Sequence, residues 1–300
     1  MQKITPNLWC ERDAREMADF YLSVFPGSKT TGGSTYPQST EDGLADFQKE
    51  FAGKDLTIDL NLAGHNFTLI NAGEAFKPTP ANSFFVNFDP LHDDKAREHL
   101  DQTWEKLIEG GKALMPLQKY DFSEYYGWVQ DKYGYSWQLI LTDPDGDERP
   151  CIIPSLLFSG PVQNKAKEAI DFYTSVFKNS KKGSQAPYPA DTGLAKANES
   201  LMYADFQLCE QWFTAMDSGN EQSNVFTEAV SYMIMCEDQA EIDYYWEKLS
   251  AVPESEQCGW CKDKYGVSWQ VVPANINELM KKPHAFKTMM NQHKIVISEY

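Results

Sequence analysis

The sequence predicts an α+β protein made of four βαβββ units, arranged as two tandem copies of one domain. Three observations carry that expectation: a long internal repeat, helices with a single apolar stripe, and alternating segments punctuated by turn residues. The repeat is direct. Phe20-Tyr-Leu-Ser-Val-Phe25 returns as Phe172-Tyr-Thr-Ser-Val-Phe177, and Trp104-Glu-Lys-Leu107 returns as Trp246-Glu-Lys-Leu249. Gly127-Trp-Val-Gln-Asp-Lys-Tyr-Gly-Tyr-Ser-Trp-Gln138 returns as Gly259-Trp-Cys-Lys-Asp-Lys-Tyr-Gly-Val-Ser-Trp-Gln270. The separations are 152, 142 and 132 residues, so the second copy has the shorter loops. That period is too long for a solenoid and means two domains, 1–148 and 149–275, followed by a tail at 276–300 without a counterpart. The turn-rich Asp143-Pro-Asp-Gly-Asp147 marks the linker.

Within each copy the elements follow in order. Ile4–Trp9 and Ile152–Phe158 are short apolar runs that read as strands ahead of helices. A helix over about 13–25 places Ala14, Met17, Ala18, Tyr21, Val24 and Phe25 on one stripe, and Pro26-Gly27 stops it. Its copy over about 165–177 repeats the stripe with Ala166, Ala169, Ile170, Tyr173, Val176 and Phe177. Leu56–Leu62 and Phe67–Asn71, joined by Ala63-Gly-His-Asn66, read as a hairpin. The second unit of each copy opens at Ser83–Phe88 or Ser231–Cys236. It continues in a helix carrying Ala96, Leu100, Trp104, Leu107 and Ile108, or Ile242, Tyr245, Trp246 and Leu249. Each copy closes on an aromatic hairpin whose last strand is Ser136–Leu141 or Ser268–Val272, and the tail opens with a helix over about 276–282.

Composition narrows the function classes. Lys and Arg number 27 against 44 Asp and Glu, a net charge of −17, which repels phosphate backbones and anionic lipid. Apolar runs such as Leu139–Leu141 are far short of the ~20 residues of a membrane span, and no apolar core follows Met1-Gln-Lys3 as an export signal would require. Nucleic acid and membranes are therefore not expected partners. Six cysteines are too few for a disulfide scaffold, and a cytoplasmic location is expected. Cys258-Gly-Trp-Cys261 has redox or zinc spacing, yet the repeat aligns it with Tyr126 and Val129, so the same strand is built elsewhere without sulfur. No G-x-S-x-G elbow, P-loop or H-E-x-x-H is present. The repeated Asp-Lys-Tyr-Gly at 131–134 and 263–266 reads as a hairpin turn with exposed charges, and Tyr133 and Tyr265 as packed turn residues.

The βαβββ pairing, the Phe-Tyr-x-Ser-Val-Phe helix end, the Gly-Trp-x-x-Asp-Lys-Tyr-Gly-x-Ser-Trp-Gln hairpin and the Ile-Thr-Pro or Ile-Ile-Pro opening together resemble one family. It is the PhnB-like branch of the vicinal-oxygen-chelate superfamily, which holds glyoxalase I, dioxygenases and bleomycin-binding proteins. The resemblance runs from about Ile4 to Pro273 and implies two tandem domains, each of two βαβββ units forming curved mixed sheets with helices outside. Members often carry the label 3-demethylubiquinone methyltransferase. A methyltransferase of the usual kind needs a Gly-x-Gly loop for its nucleotide cofactor, and this chain has none.

The resemblance also implies where a divalent cation would be held. The ligand positions fall near Pro6 or Asn7, or Pro154 or Ser155, on the first strands; at Thr68 and Thr214; at Ser83 and Ser231; and at Gln138 and Gln270. None is His, Asp, Glu or Cys, so no metal and no cofactor is expected. The five histidines, at 65, 92, 99, 284 and 293, spare residues 151–275 entirely. The repeated Thr, Ser and Gln suit either sheet hydrogen bonding or the polar floor of a cup. On the second reading Thr68, Ser83, Gln138 and Trp128 bind a ligand in the first domain, and Thr214, Ser231, Gln270 and Trp260 in the second. Wall candidates are Trp9, Phe84, Trp128 and Trp137, then Trp212, Tyr232, Trp260 and Trp269, rings that suit core filling equally well. The expectation is a cytoplasmic, metal-free small-molecule binder, an intramolecular pseudo-dimer able to pair as a homodimer. The alternative is an enzyme of the same superfamily, a lyase, isomerase, dioxygenase or transferase, whose catalytic residues the sequence does not name.

Overall fold

The computed structural model describes residues 2–11, 13–143, 146, 148–190, 199–219 and 224–300, so most of the 143–147 linker lies outside the described residues. The first repeat runs β1 (Ile4–Cys10), α1 (Ala14–Val24), β2 (Lys29–Thr35), β3 (Asp55–Leu62), β4 (His65–Asn71), β5 (Asn82–Phe88), α2 (Ala96–Ile108), β6 (Lys112–Tyr120), β7 (Ser123–Gln130) and β8 (Ser136–Leu141). The second runs β9 (Ile152–Phe158), α3 (Ala166–Val176), β10 (Lys181–Pro187), β11 (Leu201–Leu208), β12 (Gln211–Asp217), β13 (Val230–Cys236), α4 (Gln239–Leu249), β14 (Trp260–Lys262) and β15 (Ser268–Pro273). The tail adds α5 (Ile276–Leu279) and α6 (Ala285–Met290). Where the first repeat has the long β6, the second has a single 3-10 turn at Pro253–Ser255, which accounts for the fall in spacing from 142 to 132.

The architecture is α+β, in two mixed sheets, and neither repeat owns a sheet. One has seven strands ordered β14-β15-β13-β1-β4-β3-β2, and the other has eight ordered β10-β11-β12-β9-β5-β8-β7-β6. Each therefore joins the first unit of one repeat to the second unit of the other, across the antiparallel seams β1–β13 and β5–β9. This corrects the expectation that each repeat closes its own cup. Thr68 shares a sheet with Ser231, Gln270 and Trp260, while Thr214 shares one with Ser83, Gln138 and Trp128.

Strand alternation divides the two faces. Leu8, Leu69, Tyr232 and Trp269 of the seven-stranded sheet enter one core with Phe84, Trp137, Leu139 and Phe213 of the other. Ring contacts run from Phe67 through Phe84 to Trp137 and Tyr21, and are repeated from Phe213 through Tyr232 to Trp269 and Tyr173. Phe84, Trp137, Tyr232 and Trp269 are thus core, at most 1 % exposed, and not cup walls; Trp9, Trp128, Trp212 and Trp260 lie on the opposite faces. Aromatic pairs of this kind add about 0.5–1.5 kcal/mol each beyond the area they bury.

The repeated Asp-Lys-Tyr-Gly explains itself at the centre of this core. Asp131 Oδ2 accepts from Tyr21 Oη (2.8 Å) and Trp137 Nε1 (2.9 Å), and its Oδ1 accepts from the Tyr133 and Tyr135 amides. Asp263 repeats the arrangement with Tyr173, Trp269, Tyr265 and Val267. The aspartates are buried, contrary to the expectation of exposed charges, and the glycine is needed because the turn bends through φ near +89°. Tyr133 and Tyr265 donate to Glu16 and Glu168 at the surface. The β3–β4 hairpin turns on Ala63-Gly64 alone, both at positive φ, so His65 and Asn66 are already strand rather than turn.

Candidate functional site

A single row of polar side chains crosses each sheet on the face away from the core. In the eight-stranded sheet the pairing places Asp205 beside Thr214, Thr214 beside Ser155, Ser155 beside Ser83 and Ser83 beside Ser136. In the seven-stranded sheet the same register aligns Asp59, Thr68, Asn7, Ser231 and Ser268. The first-strand positions are therefore Asn7 and Ser155; Pro6 and Pro154 point the other way by alternation. Gln138 Nε2 donates to Ser83 Oγ at 2.8 Å, and Gln270 Nε2 donates to Ser231 Oγ at 2.9 Å. The glutamines thus serve the hydrogen bonding that either reading allowed, and they do so on the cup face.

The two rows differ in what satisfies them. In the seven-stranded sheet Thr68 Oγ1 donates to Asp59 Oδ1 at 2.8 Å. In the eight-stranded sheet Asp205 is turned away: its Oδ2 accepts from Arg149 at 2.9 Å and its Oδ1 from the Ser184 amide at 2.7 Å. The Arg149 guanidinium lies 3.9 Å from the Trp212 ring centre, a cation–π contact. Gly183 makes room for this clamp, since a Cβ there would sit 1.9 Å from Asp205 Oδ1. As a result Thr214 Oγ1 is buried with no hydrogen-bond partner; its neighbour Ser155 Oγ, Ser136 Oγ and Trp128 Nε1 are also without one, as is Ser268 Oγ at the end of the seven-stranded row. Tyr126 closes the row by donating to Gln138 Oε1 at 2.5 Å, and burial pushes its phenol well up, so it stays a donor.

Around this row the eight-stranded sheet curls into an open cavity of about 960 Å³. Phe85, Ile153, Ile140 and Tyr203 line it, Thr214 and Asp205 reach its floor, and Tyr120 and Phe122 stack at its mouth. Phe122 is 54 % exposed. The charged lining is acidic, with Asp121, Glu124, Asp143 and Asp205 against Lys119 and Arg149. Asp59, Asp205, Tyr126 and Arg149 were not singled out from the sequence. The offset of nine residues shared by Asp59–Thr68 and Asp205–Thr214 was the available signal for the aspartates.

The residues at the superfamily's cation positions do not fit a metal. Asn7, Thr68, Ser231 and Gln270, and likewise Ser155, Thr214, Ser83 and Gln138, offer neither imidazole nor carboxylate, and no group of three His, Cys, Asp or Glu side chains converges among the described residues. The six thiols are free; Cys261 sits in β14, while Cys258 lies in the turn before it at φ 54° rather than on a strand.

Paired βαβββ units with sheets shared between two repeats define a glyoxalase-type fold. The chain belongs to the family described as 3-demethylubiquinone-9 3-methyltransferase, whose model matches residues 2–140 and 150–272. A mutant form of maize (Zea mays) glyoxalase I matches at 12 % identity and TM-score 0.50 over 94 % of this chain and 98 % of its own. A Bacillus subtilis protein described as a candidate dioxygenase matches at 9 % identity and TM-score 0.50 over 97 % of this chain and 91 % of its own. The PhnB protein of Bacillus cereus is 36 % identical over 47 % of this chain and all of its own, with TM-score 0.39. No curated protein matches.

Proposed function

We propose that the protein binds a small, neutral or cationic aromatic molecule in the cup of its eight-stranded sheet, without a metal. The observation that carries this reading is the buried, partnerless hydroxyl of Thr214 at the floor of a 960 Å³ aromatic-lined cavity, with the equally partnerless Ser155 beside it in the sheet. A buried hydroxyl without a partner costs about 1–3 kcal/mol, and a ligand carbonyl, hydroxyl or amine would remove that cost. Large apolar walls with a few placed polar groups are the usual make-up of such sites. The acidic lining disfavours anions. Ser83, Gln138 and Trp128 lie on the same face of the sheet beside this floor, with Gln138 held in orientation by Tyr126. The net charge of −17 supports small molecules over nucleic acid or anionic membranes as partners, and the six free thiols support a cytoplasmic setting. No helix among the described residues is long and apolar enough to cross a membrane.

The test is a titration with N-phenyl-1-naphthylamine, a neutral aromatic dye that brightens in apolar surroundings, against its anionic counterpart anilinonaphthalene sulfonate. Saturable binding of the neutral dye, at least tenfold tighter than the anionic one and weakened by Thr214→Val, supports the reading. Equal binding of both dyes that is indifferent to Thr214 refutes it.

A further inference from the structure

The first repeat closes its last hairpin with β6, which lies between α2 and β7 in the chain, and the second repeat has no strand in that position. Residues 292–297 fill the place instead. In the first repeat a Cβ on Gly127 of β7 would meet the Leu117 backbone of β6 at 3.0 Å. Gly259 is the counterpart of Gly127, and a Cβ there would meet the Ile295 side chain at 3.0 Å. Ile295 is fully buried in the same core that Leu117 packs against. The backbone follows suit. The Cys258 and Gly259 amides donate to Gln292 O (2.8 Å) and His293 O (2.7 Å), whereas Tyr126, the counterpart of Cys258, is paired with Gln118 of β6.

The flanking helix is changed to match. The 142-residue offset aligns Arg97 and Asp101 of α2 with Gln239 and Asp243 of α4. Arg97 lies 3.8 Å from the centre of the Tyr125 ring, and Asp101 accepts from the Tyr125 hydroxyl at 2.5 Å, so that pair grips a side chain of β7. The second pair grips a backbone. Gln239 Nε2 donates to Ile295 O (3.0 Å) and Gln239 Oε1 accepts from the Ile297 amide (2.9 Å), as a neighbouring strand would do. Asp243 Oδ1 accepts from the same Gln239 amide at 3.1 Å, which fixes its orientation, and from Lys294 Nζ at 2.6 Å.

We propose that α4 and the turn before β14 form a docking groove for a short segment of pattern Lys-Ile-x-Ile. Residues 294–297 fill it here in place of the missing strand, and the same segment of a second copy is the partner it fits in trans. Affinity comes from main-chain bonds, and selectivity from the Ile295 pocket and the Asp243 carboxylate. The groove lies beside α4, away from the cup of the seven-stranded sheet, and does not depend on the small-molecule reading of the eight-stranded one. In the intact chain the tethered segment competes at an effective concentration on the order of millimolar and keeps a micromolar partner out.

A fluorescein-labelled peptide of residues 290–300 is titrated by anisotropy against the full chain and against Ile295→Asp, which places a carboxylate at the apolar anchor and vacates the groove. Binding to the variant should be saturable and at least tenfold tighter than to the full chain. It should weaken at least tenfold when the peptide itself carries Ile295→Asp, or when Gln239→Ala is added to the chain. Equal binding to both proteins, or none to the variant, overturns the groove. Hydrogen exchange over residues 256–262 is the second measurement. It should be at least tenfold faster in the variant and restored by saturating peptide, with residues 124–130 of β7 unchanged throughout. An unchanged rate over 256–262 overturns the proposal as well, because the segment would then not be what covers those amides. Should Ile295→Asp also speed exchange over 124–130, the fold has opened beyond the groove, and the milder Ile295→Ala is carried through the same two measurements with the same outcomes deciding.

Discussion

Thr214→Val separates a binding floor from a merely structural one, because the two outcomes have opposite signs. Valine matches threonine in shape and replaces the hydroxyl with a methyl. At Thr214 the hydroxyl is buried and partnerless, so its removal lifts a cost of about 1–3 kcal/mol and adds about 0.8 kcal/mol of apolar burial. Allowing for incomplete desolvation, the unfolding free energy should rise by about 1–2 kcal/mol, a gain of roughly 2–5 °C in Tm for a chain of this size. The homologous position supplies the control. Thr68 donates to Asp59, so Thr68→Val strips a donor from a carboxylate and should lower stability by about 1–2 kcal/mol. Urea unfolding of the three proteins, followed by tryptophan fluorescence, reads both changes. Dye affinity should fall about tenfold in Thr214→Val, and adding Ser155→Ala should give less than the product of the single effects, since both hydroxyls meet one ligand. Destabilisation by Thr214→Val of about 1 kcal/mol or more would refute the reasoning, because it would mean the fold itself uses that hydroxyl.

Three further outcomes follow from the same geometry. Burial raises the Asp131 carboxyl to about 6 from an ordinary 3.8, despite its four donors. The native state therefore holds the proton more tightly than the unfolded chain. The group's contribution is present in full below about pH 4 and is lost as pH climbs through 6, by roughly 3 kcal/mol. Asp131→Asn should erase that decline in a comparison of urea midpoints from pH 4 to 7; a wild-type minus variant difference that stays flat would count against it. Gly183→Ala should drive Asp205 off Arg149 and cost about 1–3 kcal/mol, while Gly32→Ala, whose Cβ meets the Asp59 carboxylate at 3.0 Å, should cost less; thermal melts rank the two. Gln138→Glu adds one carboxylate to a row of neutral groups and should retain no metal by elemental analysis, whereas stoichiometric metal in the purified variant would contradict the donor-set argument.

The elements were legible because each rests on a local pattern: the Ala14–Val24 stripe, the Ala63-Gly64 turn and the twelve-residue closing repeat are all readable within one window. The exchange of sheets between repeats was not, because nothing in β1 says whether its partner across the seam is the second unit of its own repeat or of the other. The pairing made there, Asn7 opposite Ser231, joins segments far apart in the chain, beyond the reach of any local pattern. The row positions at Thr68, Ser83, Gln138 and their copies were legible one by one, and only their grouping was wrong. Half of the wall candidates failed for a related reason. Ser83 and Phe84 are adjacent, so when one faces the cup the other must face the core, and an aromatic count cannot distinguish them without fixing the strand's phase.

The different fates of two cups with one register follow from what leaves their last strands. β8 lies in the eight-stranded sheet, and the chain leaving it must return within about ten residues to β9 of the same sheet, near enough for Asn87 to bond the Pro150 and Cys151 carbonyls. A connection so short can place one long side chain at the mouth, and it places Arg149, which draws Asp205 aside and leaves Thr214 unmatched. β15 lies in the seven-stranded sheet and has no further strand to reach, and the chain leaving it ends against α4, where Gln239 bonds Ile295 and Ile297. In that sheet Asp59 keeps its bond with Thr68. One cup is thereby left with an unmet threonine hydroxyl, and in the other the matching threonine is satisfied by its aspartate, while the serine at the end of each row, Ser136 or Ser268, stays without a partner in both. The asymmetry arises from connection length, with the floor residues themselves nearly the same.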